Sequence, residues 1–115
     1  MRVLVAYEHR HRFYREVIAR AISDHRPQLQ VRHSELEELG KELVLFDPHA
    51  VVSSQPYRLD TTNTLAPWVE LPVEPSSPAE IHLGGKHLKA SKLTLAEVLC
   101  LLDEAEGLLR DDPSL

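Results

Sequence analysis

Three polar residues crowd the point where the first apolar run of this chain ends: Glu8, His9 and His11. A second small group, Ser53-Ser54-Gln55, closes a later apolar run, Ala50-Val51-Val52. A carboxylate, two imidazoles two positions apart and a pair of hydroxyls could bind an anion or a metal, or move a proton, if the fold brings them together. The preferred reading of these residues is a polar loop that wets the top of a sheet, because location on a fold is only analogy.

The remaining reactive residues point away from catalysis. Ser54 does not sit in a Gly-x-Ser-x-Gly elbow, and Cys100 falls inside a helical repeat with no histidine near it in sequence. Gly84-Gly85 precedes Lys86, but lacks the spacing of a phosphate-binding glycine loop and reads as a hairpin turn. The chain has seven histidines, none in the spacing of a structural zinc site. No cofactor and no metal is expected.

The elements that must position these groups follow from periodicity. Val3-Leu4-Val5-Ala6 is a short apolar strand that leads into Phe13, Tyr14, Val17, Ile18, Ala21 and Ile22 at helical spacing. This predicts a helix from about Arg10 to His25, ended by Pro27. Its outer face would carry Arg12, Arg15, Glu16, Ala19, Arg20 and Ser23, with Glu16 and Arg20 spaced as an ion pair. Leu29 to Arg32 alternates like an edge strand. Ser34-Glu35-Leu36-Glu37 matches a capping box, which predicts a helix from Glu35 with Leu36, Leu39, Leu43 and Phe46 buried. Asp47-Pro48 breaks it before the strand Ala50 to Ser53.

This alternation predicts a three-layer α/β domain over residues 1–115, with a parallel sheet in the order second-first-third. After Ser54 the pattern stops. Pro56 to Pro67 reads as a loop, so the third and fourth helices of a flavodoxin-like fold are expected to be missing. Trp68 to Leu71 and Ala79 to Leu83 read as a fourth and fifth strand. The gap between them is too short for a helical crossover, and an antiparallel pairing is preferred over an extended connection. Lys86 to Ala90 returns as a short arm. Thr94-Leu95-Ala96-Glu97 is a second capping box and opens the last of three helices. Leu95, Val98, Leu99, Leu102, Ala105 and Leu109 form its stripe, Leu101 and Leu108 widen it, and Cys100 lies opposite. Residues 111–115 are a frayed tail.

Composition narrows the partners. At 43% hydrophobic and 27% charged residues the chain has the make-up of a folded domain. No run is apolar enough to span a membrane, no signal peptide precedes Val3, and the single cysteine excludes an internal disulfide, so a cytoplasmic protein is expected. Residues 1 to 33 hold seven arginines against three acidic residues, and the remainder holds six basic and fifteen acidic ones. Without a net basic domain no nucleic-acid partner is expected. The opposite charges could instead meet within a homo-oligomer.

The first half of the chain resembles response-regulator receiver domains. The likeness lies in the N-terminal Val-Leu-Val strand, the long first helix and Phe46-Asp47-Pro48 leading to Val51-Val52. Leu93-Thr94-Leu95-Ala96-Glu97-Val98-Leu99 is similar to the start of a receiver's last helix. A receiver carries an acidic pair after its first strand to hold magnesium, and here Tyr7-Glu8 leaves one carboxylate. Its phosphoacceptor aspartate aligns with Ser54. No Ser or Thr ends the fourth strand and no Lys-Pro follows the fifth. The resemblance therefore implies a receiver-like fold without the receiver's phosphotransfer.

Three functions remain, in order of preference: a non-enzymatic interaction or regulatory module, a small-ligand or anion binder using Glu8, His9, His11 and Ser53 to Gln55, and an enzyme. With two helices missing, the sheet around Tyr57, Trp68, Val69 and Leu71 is expected either to be bare or to be covered by the Pro56 to Pro67 loop folding back, and Leu101 and Leu108 add a second apolar strip. Either surface would suit a homodimer or another protein partner.

Overall fold

The computed structural model of the chain describes residues 1–55, 66–74, 77–83, 86–91 and 93–110. In order these form β1 (Arg2–Tyr7), α1 (Arg12–His25), β2 (Gln30–Glu35), α2 (Leu39–Leu45) and β3 (Ala50–Ser53). They continue with β4 (Trp68–Glu70), β5 (Ala79–Leu83), β6 (Lys86–Ala90) and α3 (Leu95–Arg110). Short 3-10 turns at His9–His11 and Leu36–Glu38 precede α1 and α2. The six strands form one sheet in the order β2-β1-β3-β4-β5-β6. The first four run parallel, and β5 and β6 are antiparallel to their neighbours. The expected 2-1-3 order and the antiparallel β4–β5 pair are thus both present. The predicted arm from Lys86 is the sixth strand.

Tyr57, most of the predicted loop (56–65), Gly84-Gly85 and the tail 111–115 lie outside the described residues. The expected absence of a helix after β3 falls on these same residues. Among the described residues no helix is long and apolar enough to cross a membrane.

Alternation along the strands splits the core in two. Val3, Val5, Tyr7, Val52, Val69 and Ile81 face α1 and α3, whose Ile18, Ile22, Val98 and Leu102 close over them. Leu4, Ala6, Val51 and Trp68 face the other way, against Leu39 of α2 with Leu36, Leu43 and Phe46 at the margin. β1 is covered on both sides, which is why it reads as an unbroken apolar run.

Four sequence expectations need correction. The predicted outer face of α1 is partly inner. Arg15 and Ala19 are buried beside Ile18 and Ile22, while Phe13 and Val17 are 70% and 65% exposed. The apolar arc of α1 is wider than one sheet-facing row. The Tyr14 ring meets the Tyr7 ring edge-on at 5.2 Å, so Tyr14 sits at the margin and the small Ala19 takes the centre. Arg20 reaches Asp24 at 3.9 Å rather than the Glu16 of the predicted pair.

The Ser34 capping box does not form. β2 runs on through Ser34 and Glu35, which pair with Ala6 and Tyr7, and α2 begins only at Leu39 without a side-chain cap. A ladder already set by six residues of β1 gives these backbone groups partners that a cap would have to displace. The box at Thr94 does form. Glu97 N donates to Thr94 Oγ1 at 3.2 Å and Thr94 N to Glu97 Oε1 at 3.3 Å.

The sheet around Trp68 is not bare. Trp68 is fully buried and Val69 is 5% exposed. The Trp68 indole N–H donates to the Gln55 carbonyl at 2.9 Å. Leu71 and Leu101 pack at the edge of the first core cluster, and of the expected interface residues Leu108 alone is exposed among those described.

Part of the charge asymmetry is met inside one chain. Arg2 pairs with Asp47, Arg32 with Glu42, and Arg26 grips Asp103 with two nitrogens at 2.8 Å each. The contact with Arg26 holds the Asp103 carboxyl below the ordinary range. Asp47 itself takes φ 51°. This left-handed position ends α2 ahead of Pro48, and aspartate tolerates it better than most residues.

Candidate functional site

The carboxyl ends of β1, β2 and β3 lie side by side, but the predicted crevice residues divide between the two faces of the sheet. Glu8 Oε2 takes Arg10 Nε at 2.8 Å. His9 Nδ1 lies 2.7 Å from Glu35 Oε1, the last residue of β2. That contact with His9 holds the Glu35 carboxyl below its usual range. His11 follows on the same loop, with its Nδ1 buried and without a hydrogen-bond partner. Ser53 pairs with Ala6 across the ladder and so faces α2. Its hydroxyl accepts the Gln55 N–H at 3.0 Å, in the turn that also holds Trp68. Ser54 Oγ is buried without a partner. His9 thus leans towards β2, and the Ser53 to Gln55 turn serves the packing of Trp68.

Sequence reasoning missed Arg15 in this region. It lies one helical turn after His11, in the row His11, Arg15, Ile18, Ile22. That row was legible, had the apolar arc been centred one residue later. The Arg15 side chain is 7% exposed, with Nη1 3.5 Å from the Tyr7 carbonyl oxygen and Nε buried without a partner.

A second polar group crosses β4, β5 and β6 on the α2 side. The register sets Glu70 opposite Glu80 and Glu80 opposite Lys89. Glu80 lies 3.4 Å from Lys89 and 3.5 Å from His87. The His82 and His87 rings stack at 4.3 Å. Burial, and then the neighbouring Glu80, push the Glu70 carboxyl upward, and its Oε1 is buried without a partner. Among the described residues no group of three or more His, Cys, Asp or Glu is placed to hold a metal ion.

The Glu70 shift has a definite sign. A carboxyl raised by folding stabilises the fold while protonated, and that contribution is lost as pH rises through its folded value. Glu70→Gln, which mimics the protonated form, should therefore melt higher than the natural protein at pH 7. The gain should be roughly 0.2–1 kcal/mol, the size of a cross-strand like-charge effect, and should vanish by about pH 4. Melting curves of both proteins across that range check this, and an unchanged or lower melting point at pH 7 contradicts it.

The first helix and the start of the last one enclose an apolar groove of about 170 Å³. Tyr14, Val17 and Ala21 form one wall and Leu93, Leu95 and Val98 the other, over Leu71. Beneath it the Tyr7 hydroxyl donates to the Leu71 carbonyl at 2.6 Å. A second hollow of similar size adjoins it along Pro72 and Val73. Phe13 stands one turn before Val17 on α1 and is exposed, with the Arg12 guanidinium 5.1 Å from its ring centre.

Comparison with protein-family models, curated proteins and solved structures returns no match for this chain.

Proposed function

We propose that this chain is a non-enzymatic interaction module of receiver-like, flavodoxin-like topology that works unphosphorylated and as a homodimer. The receiver-like part rests on the parallel 2-1-3 order of the first three strands, with helices on both faces. By the resemblance Ser54 aligns with a receiver's phosphoacceptor, and the remaining carboxylate, Glu8, is engaged by Arg10. The exposed thiol of Cys100 suits a reducing compartment such as the cytoplasm.

The observation that carries the interaction role is the α1–α3 groove with its rim. Phe13, Val17 and Leu95 are 70%, 65% and 39% exposed; Val17 and Leu95 line a hollow of about 170 Å³, and Phe13 lies one helical turn before Val17. A protruding aromatic ring beside an apolar hollow is self-complementary. A two-fold axis running along the helices lays α1 of each copy over α3 of its mate, so each Phe13 enters the other copy's groove. Val44 and Leu45 on α2 are as exposed, but they are neighbours on a helix of seven residues and have no such knob-and-hollow relation.

Amide hydrogen exchange at two protein concentrations tests this reading. Residues 12–21 and 93–98 should gain protection as concentration rises, while α2 and β6 stay unchanged. Protection that is independent of concentration throughout would refute it.

A further inference from the structure

Arg15 is the least explained charged group among the described residues. A buried guanidinium costs free energy unless it is paired and hydrogen-bonded. Arg15 is 7% exposed, yet its one hydrogen bond is the 3.5 Å contact to the Tyr7 carbonyl, and Nε has none. Glu35 feels its charge, but that carboxylate is held by His9 at 2.7 Å. Long side chains on a helix lean towards its N-terminus, so Arg15 projects over the first turn of α1. His11, one turn earlier, has its Nδ1 buried and unpartnered there. That turn carries no acidic residue, and its N-cap makes no side-chain hydrogen bond. The Arg12 N–H donates to the His9 carbonyl of the preceding 3-10 turn, so it is the N–H groups after it, with the helix dipole, that favour negative charge.

We infer that the first turn of α1 is a binding site for a phosphate or phosphoryl group, with Arg15 and His11 as its side-chain ligands. Arg15 supplies a planar fork suited to phosphate oxygens, His11 a second donor, and the uncapped helix turn the remaining N–H groups. An oxyanion there gives Arg15 a directly bonded counter-charge, which no carboxylate among the described residues supplies. This site is separate from the α1–α3 groove and does not rest on the dimer.

Thermal melting in inorganic phosphate, against chloride at equal ionic strength, tests the site. The natural protein should show a saturable rise in melting temperature, as mass action requires. Arg15→Met should show no saturable rise. In chloride it should melt at least as high as the natural protein, because an apolar side chain of similar length replaces an unpaired buried charge. His11→Ala should bind phosphate about tenfold more weakly or worse, and it decides the matter if Arg15→Met does not fold. A parallel arm with phosphoserine separates the sources. A larger shift than with phosphate means a phosphoryl group on a bigger molecule, and an equal shift means free phosphate. General salting-out raises all three proteins alike and without saturation. That result, or no rise in the natural protein, overturns the proposal.

Discussion

Trp68→Ala should lower the free energy of unfolding by about 3–5 kcal/mol, the range for truncating a large buried aromatic. Domains of this kind are stable by only about 5–15 kcal/mol, so the variant would lose a large share of its margin. The indole is fully buried, on the sheet face that also carries Leu4, Ala6 and Val51, with Leu39 of α2 over it. Truncation leaves a cavity in the smaller of the two core clusters and strips the Gln55 carbonyl of its 2.9 Å donor. Trp68→Phe keeps most of the volume and should lose mainly the hydrogen bond, about 1 kcal/mol. Urea titrations followed by far-ultraviolet circular dichroism measure both. A loss below about 1 kcal/mol for Trp68→Ala would mean that Trp68 lies at the surface, as its sequence context suggests.

That contrast marks where the sequence was and was not legible. The strands Ala50 to Ser53 and Ala79 to Leu83 were readable because apolar runs bounded by prolines or turn residues leave few alternatives. The Thr94 capping box was readable for the same reason, since no strand competes for its backbone groups. The box at Ser34 carries the same chemistry, yet it lost to ladder pairing with Ala6 and Tyr7, and that competition depends on a neighbour far away in sequence. Trp68 was misjudged because, among the described residues, α2 and the Gln55 turn contact it, and its own periodicity reveals neither. Of the candidate site, His9 and His11 could be placed at a strand end. Their separation from Ser53 follows from the pleat of β3, which turns Ser53 towards α2. Arg15 was assigned to solvent because arginines seldom lie at the sheet-facing centre of a helix, and its burial is the feature least accessible to pattern reading.

The groove on α1 and α3 decides between an interaction module and a domain that stays alone. Phe13→Glu puts a charge where each copy is proposed to insert a ring into the other. The side chain is 70% exposed, so the fold itself should change by no more than about 0.5 kcal/mol. An anchor residue contributes about 2 kcal/mol. It occurs twice in a two-fold interface, so the variant should weaken the dimer by roughly a thousandfold. Light scattering on the eluting protein is the direct measurement. The natural chain should run at twice its 13.1 kDa mass, and Phe13→Glu at the monomer mass with unchanged circular dichroism. A natural protein that stays monomeric at high concentration, or a dimer that survives Phe13→Glu, would contradict the account.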